Sequence, residues 1–144
     1  LLSTGGDAMA IPSLNRDGDC LSDLVLQLFG SIAGAESILL SFDDDWNERV
    51  VMAEAPHGTA PALFGKNVAN PMAMILAAAS VLSYIRDDPK AARASRAIYE
   101  SVLEAVYDGI RTADLTGSAT TSEFTDEVVR RTRSKLAAWD TLGR

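Results

Sequence analysis

The sequence predicts an α/β fold with a few strands and about four helices. Short β-branched apolar runs come first, long stretches of helical periodicity follow, and Asn-Pro, Asp-Pro and Thr-x-x-Glu signals mark where helices begin. Ala8-Met9-Ala10-Ile11, closed by Pro12, reads as a buried strand, and Asn15-Arg16-Asp17-Gly18 as a turn. Leu21, Leu24, Val25, Leu28, Phe29 and Ile32 then recur at helical spacing as one apolar stripe expected to face the core, with Gly30 and Gly34 ending the helix. Ile38-Leu39-Leu40 and Val50-Val51-Met52 read as two strands around an exposed Asp43-Asp44-Asp45 loop.

Asn70-Pro71 is a helix start, because asparagine caps orphan N–H groups and proline lacks the donor that the first turn leaves unused. Met72, Ile75, Leu76, Ala79 and Leu82 then share one face. Asp88-Pro89 repeats the signal, and Ile98, Val102, Ala105, Val106 and Ile110 carry that helix to Arg111. Thr120 and Glu123 form a capping box for a last helix with Phe124, Val128, Thr132 and Leu136 on one side. Together, 1–144 read as one segment: a carboxylate motif at 15–23, a loop at 54–71 and a helical part at 71–139.

Nearly half of the 144 residues are hydrophobic, enough for one domain with a core. A net charge of −7 argues against a nucleic-acid partner, since no basic patch stands ready to neutralise phosphates. Arg130, Arg131, Arg133 and Lys135, the most basic stretch, read as a solvated helix face. The longest apolar run, Met72 to Leu82, is too short to span a membrane. Cys20 is the sole cysteine, so no internal disulfide forms, and a reducing, cytoplasmic location is expected. The chain opens on Leu1 without a basic leader, and a missing N-terminal portion is expected.

Two stretches carry chemistry. Asp19 and Asp23 stand four residues apart, on one helix face and opposite the apolar stripe. Hard cations such as Mg²⁺ take oxygen ligands from a few carboxylates plus substrate, and a helix N-terminus partly offsets two close charges. From spacing alone the simpler reading is an N-cap at Asp19 and an exposed first-turn acid at Asp23. The second stretch is Glu54-Ala55-Pro56-His57-Gly58-Thr59-Ala60-Pro61, followed by Gly65-Lys66-Asn67-Val68-Ala69-Asn70-Pro71. It is a strand end, a Gly/Pro-rich loop and a capped helix, where small residues let a ligand approach backbone N–H groups. His57, the only histidine, is most simply an ordinary loop imidazole, and no second His or Cys supports zinc.

Both stretches resemble the isocitrate/isopropylmalate dehydrogenase family. Asn15 to Asp23 is similar to the family's Asn-Leu-Phe-Gly-Asp-Ile-Leu-Ser-Asp, with Arg16 and Asp17 departing from its apolar residues. The loop resembles its His-Gly-(Ser/Thr)-Ala-Pro, Gly-Lys and Ala-Asn-Pro run. Arg111-Thr112, Asp114-Leu115, Thr121, Glu123 and Phe124 resemble its closing segment, so the similarity runs from about Ala8 to about Leu136. The Gly-x-Gly-x-x-Gly fingerprint is absent, as the family's fold implies.

The resemblance implies the C-terminal part of an isopropylmalate dehydrogenase-like fold within a two-domain, homodimeric enzyme. It implies Asp19 and Asp23 as ligands of Mg²⁺ or Mn²⁺, and His57, Gly58, Thr59, Ala60 and Asn70 around the adenosine half of NAD or NADP. The implied reaction oxidises and decarboxylates a 2-hydroxy diacid. Its lysine base, tyrosine acid, third aspartate ligand and substrate-gripping arginines lie upstream, so no catalytic residue is assigned in this chain, and alone it is expected to be inactive. A regulatory or assembly subunit of the same family is the alternative. Tyr84, Tyr99 and Tyr107 read as structural. NAD-using members carry an aspartate, and NADP-using members a lysine then a tyrosine, where this chain has Ala62 and Leu63, followed by Phe64. Losing the aspartate's ribose hydrogen bonds, worth ~1–3 kcal/mol, implies weak NAD/NADP discrimination unless Lys66 or Arg111 reaches a 2′-phosphate.

Overall fold

A computed structural model describes residues 10–28 and 34–141. In chain order these form helix α1 (Asn15–Leu28), strands β1 (Ser37–Phe42) and β2 (Glu48–Glu54), and helices α2 (Met72–Ser83), α3 (Pro89–Tyr107) and α4 (Thr121–Thr141). The class is α/β, as the patterning predicts.

The core lies among the last three helices. Met72 and Leu76 of α2, Val102 and Ala105 of α3, and Phe124 and Val128 of α4 are buried together, with Ile75, Ile98, Tyr99, Val106, Ile110 and Leu115 packed around them. Buried alanines and serines at Ala73, Ala77, Ala79, Ala97 and Ser101 leave no bulk to hold the helices apart. Ser101 is satisfied within its own helix, its Oγ donating to the Ala97 carbonyl at 2.6 Å. Burial on most sides of α2 explains why its sequence is apolar nearly all round.

The helix signals act as read. Asn70 Oδ1 accepts the Met72 N–H at 3.0 Å, and Asp88 Oδ1 accepts that of Lys90 at 2.9 Å. Thr120 and Glu123 close a reciprocal capping box, with Glu123 Oε2 accepting from the Thr120 N–H at 2.8 Å and Thr120 Oγ1 from the Glu123 N–H at 3.2 Å. Phe124 and Val128 are buried and Thr132 and Leu136 half-buried on one side of α4.

Helix α3 stops at Tyr107 rather than continuing to Arg111. Gly109 takes φ +88°, its N–H reaches the Val106 carbonyl at 3.2 Å, and the Ile110 N–H reaches that of Ala105 at 2.9 Å. This is a Schellman termination, with glycine in the left-handed position that reverses the chain. In the segment leading to α4, a second glycine is required by close approach: a Cβ at Gly117 would stand 2.0 Å from the Arg111 carbonyl oxygen.

The strands pair antiparallel, Ser37 opposite Glu54 and Leu40 opposite Val51, with an irregularity between Ser41 and Phe42. The exposed 43–45 loop is present. Asp43 Oδ1 accepts the N–H groups of Asp45 at 3.0 Å and Asn47 at 2.8 Å, and its bonds from Asn47 above all hold its carboxyl below the ordinary range. The hairpin packs on α2, and two polar ties reinforce it: Arg86 pairs with Glu48, and the Tyr99 hydroxyl bonds Glu36 just before β1. The Tyr99 hydroxyl also lies 3.2 Å from Ser80 Oγ. That is a structural role, as expected of Tyr99.

Three expectations need correction. Ala10 and Ile11 join no sheet (Ala8 and Met9 lie outside the described residues), since β1 and β2 pair only with each other. Asn15–Gly18 is not a free turn but the first turn of α1, where the Gly18 N–H already reaches the Leu14 carbonyl at 2.7 Å. The stripe on α1 faces no core: α1 buries no residue, and Leu24 and Leu28 are 59% and 53% exposed. Phe29, Gly30 and Ile32 lie outside the described residues, while no other described element packs against α1.

Candidate functional site

The Gly/Pro-rich loop shapes an open groove of about 770 Å³ between the end of β2 and the segment joining α3 to α4. Its walls include His57, Gly58, Thr59, Ala60, Ala69 and Asn70. All five residues expected to hold the nucleotide therefore converge on one concavity, within the usual size of small-ligand sites.

Local chemistry builds this shape. Ala60 sits in the left-handed region at φ 42°, turning the chain into a single 3₁₀ turn at Pro61–Leu63. The Leu63 N–H reaches the Ala60 carbonyl at 2.8 Å and the Phe64 N–H reaches that of Pro61 at 3.2 Å. Gly65 at φ 74° and Asn67 at φ 56° bend it back. Asn67 latches the loop to the start of α4. Its side-chain oxygen accepts the Ser122 N–H at 3.1 Å and Ser122 Oγ at 2.9 Å, and its carbonyl accepts the Thr121 N–H at 3.0 Å. Thr121 Oγ1 donates to the Ala69 carbonyl at 2.6 Å.

The far wall holds Ala113 and Asp114. Thr112, fully buried, donates from Oγ1 to Asp114 Oδ1 at 2.5 Å, and Asn70 Nδ2 donates to Asp114 Oδ2 at 2.9 Å. The Asn70 amide is thus fixed from both ends, by Asp114 and by the Met72 N–H. The His57 imidazole lies with Nδ1 3.0 Å from the Gly58 carbonyl oxygen, so Nδ1–H donates there. A Cβ at Gly58 would meet nothing within 4 Å, so the backbone is open to an approaching ligand. The fit to an adenosine nucleotide is good: small residues on the floor, apolar side chains on the wall, and a few oriented polar groups.

Ala62 does not line the groove, although its neighbours Ala60 and Leu63 do. Lys66 and Arg111 are not among the lining residues either, and Arg111 Nε donates to the Val106 carbonyl at 2.7 Å. Leu63, Phe64, Val68 and Asp114 are wall residues that sequence reasoning did not assign. Asp114 had a signal, its place in the closing segment beside Thr112; Phe64 had none, because nothing local distinguishes a core phenylalanine from a displayed one.

Asp19 and Asp23 are both exposed on α1, one turn apart, and enter no ion pair or hydrogen bond through their side chains among the described residues. Their oxygens fit a hard cation as part of a ligand set. Among the described residues no cluster of three His, Cys, Asp or Glu side chains completes one, and α1 is not brought to the groove.

The basic stretch on α4 is also more than a solvated face. Arg131 Nη1 meets Asp108 at 2.7 Å, and Lys135 Nζ meets Glu104 at 2.6 Å and Glu100 at 3.3 Å. With Arg93–Asp140 at 2.8 Å and the Arg96 guanidinium over Trp139 at 5.4 Å, these form an antiparallel ladder from α4 to α3. Arg130 and Arg133 remain near the expectation, both exposed, with Arg130 paired to Glu127 within its own helix.

Residues 7–128 match the family described as isocitrate/isopropylmalate dehydrogenase. The chain is 38% identical over 122 residues to the mitochondrial isocitrate dehydrogenase [NAD] catalytic subunit 5 of Arabidopsis thaliana, covering 85% of this chain and 30% of that protein. It is 40% identical over 124 residues to the isocitrate/homoisocitrate dehydrogenase of Thermus thermophilus, covering 86% and 34%. It is 33% identical over 130 residues to a mitochondrial isocitrate dehydrogenase [NAD] regulatory subunit of Dictyostelium discoideum, covering 90% and 34%. Among solved structures, the apo β-decarboxylating dehydrogenase of Thermococcus kodakarensis superposes with a TM-score of 0.72 at 29% identity, covering 88% of this chain and 34% of that one. The chain thus spans about a third of the length of the relatives it matches. With the helix-capping signals, the loop and the carboxylate pair in the expected order, the chain belongs to the isocitrate/isopropylmalate dehydrogenase family.

Proposed function

We propose that this chain supplies the nucleotide loop and two metal ligands of an enzyme that oxidises and decarboxylates a 2-hydroxy diacid of the isocitrate or 3-isopropylmalate type. The observation that carries this reading is the convergence of His57, Gly58, Thr59, Ala60 and Asn70 on one groove. Gly58 leaves the backbone open, Asn70 is held by Asp114, and His57 is oriented by its Nδ1–H bond to the Gly58 carbonyl. Together they would bind and orient the adenosine half of NAD or NADP, a cofactor that would supply a hydride acceptor.

Asp19 and Asp23 would hold Mg²⁺ or Mn²⁺, which when bound would supply Lewis-acid polarisation of the substrate's oxygens. No proton-transfer residue is assigned among the described residues, and the chain alone is expected to make no NAD(P)H. The complete assembly is a homodimer in a reducing, cytoplasmic setting. In it, Asp19→Asn and Asp23→Asn weaken metal binding and cut turnover while the fold is kept. Wild-type metal dependence in both variants would overturn the assignment.

A second reading, that of a regulatory protein within the same family, draws on the likeness to the Dictyostelium relative of that description and on Ala62. It predicts nucleotide binding without turnover in the complete protein.

A further inference from the structure

Phe64 is the most exposed large apolar side chain among the described residues, at 93%, and it lines the groove. An exposed phenyl ring forgoes the burial that drives most aromatic side chains inward. It enters no aromatic pair among the described residues, where the one such pair is Phe42 with Trp46. Nor is it a loose loop tip. Pro61 fixes the preceding turn, the Phe64 N–H is bonded to the Pro61 carbonyl, the Lys66 N–H is bonded to the Leu63 carbonyl at 3.1 Å, and Asn67 ties the loop to α4. The turn therefore holds the backbone beneath the ring, so little backbone ordering remains when something covers it. Leu63 and Val68 extend the apolar wall beside it, and Asp114 provides an anchored carboxylate on the same groove.

From these observations we infer that Phe64 is a stacking platform for the base of the bound nucleotide. The inference rests on the nucleotide-loop reading above and adds a base-binding residue to it. A planar base offers a π-face to the ring, whatever the substituent on the ribose. None of Ala62, Lys66 and Arg111 is among the residues that wall the groove, so base contact rather than a charged side chain dominates its lining. Stacking thus sets affinity equally for both nucleotide forms, and weak discrimination between them follows from the shape of the loop.

The test is isothermal titration of the complete protein that carries this chain with ADP-ribose and with its 2′-phosphorylated form. Phe64→Ala weakens both by a similar factor, roughly tenfold or more, the scale of base–aromatic stacking. Phe64→Tyr stays near wild type. Because Phe64 is exposed, Phe64→Ala leaves the thermal unfolding midpoint unchanged, so lost binding is not lost folding. If wild type binds both nucleotides and Phe64→Ala binds them as tightly, or loses only one, the platform is wrong and the nucleotide reading survives. If wild type binds neither, both readings fall together.

Discussion

Residues 10–54 and residues 70–141 are built from similarly apolar sequence, yet they treat it differently. The second region buries its stripes: Met72, Leu76, Val102, Phe124 and Val128 pack on one another. The first displays them. Helix α1 buries nothing, and Leu39, Val50 and Met52 are exposed on the hairpin. A two-stranded hairpin is marginal alone, and contiguous exposed apolar surface marks a place where another element packs. Amphipathic periodicity thus states which face wants covering, whereas only the second region holds the covering partner within itself.

The largest expected effect separates these regions directly. Phe124→Ala removes a fully buried ring and destabilises the chain by about 3–5 kcal/mol, while Leu24→Ala on α1 stays within about 0.5 kcal/mol. Urea unfolding of the two variants checks this. A comparable loss from Leu24→Ala would mean that α1 is packed after all. A smaller effect tests the turn that carries Asp114. Gly117→Ala forces a Cβ against the Arg111 carbonyl and costs about 1–3 kcal/mol by overpacking. An unchanged midpoint would show the turn to be pliable.

The smallest effect concerns the polar side of the helical region. Glu127 takes hydrogen bonds from Arg130 and Arg131, which pull its carboxyl down from an ordinary 4.5 to about 2. A carboxyl whose pKa is depressed on folding contributes stability that is present above its unfolded value and lost as pH falls through the folded one. Stability therefore declines between about pH 4.5 and 2, and Glu127→Gln flattens that stretch of the urea-midpoint profile. An unaltered slope in the variant would remove Glu127 as the cause.

Much of this molecule follows from sequence because its signals are local. Asn70-Pro71, Asp88-Pro89 and Thr120-x-x-Glu123 set helix starts through bonds spanning two or three residues, and the loop from His57 to Asn70 turns at Pro61, Gly65 and Asn67. The end of α3 departs from the helical pattern because the periodicity continues through Ile110, while the glycine at 109 overrides it by accepting a left-handed backbone. Long-range facts were not legible. That Asp114 clamps Asn70, that Asn67 latches onto α4, and that Arg131 and Lys135 cross to α3 depend on residues more than twenty positions apart meeting in space. The sequence alone determined the element types from β1 onward and the helix caps, because these rest on backbone hydrogen bonding within a few residues. The five loop residues follow instead from family resemblance, and the fold brings them to one groove. Tertiary structure alone decided that no other described element covers α1 and that Phe64 rather than Ala62 lines the groove. Exposure depends on what else occupies the neighbouring space, and no local pattern encodes that.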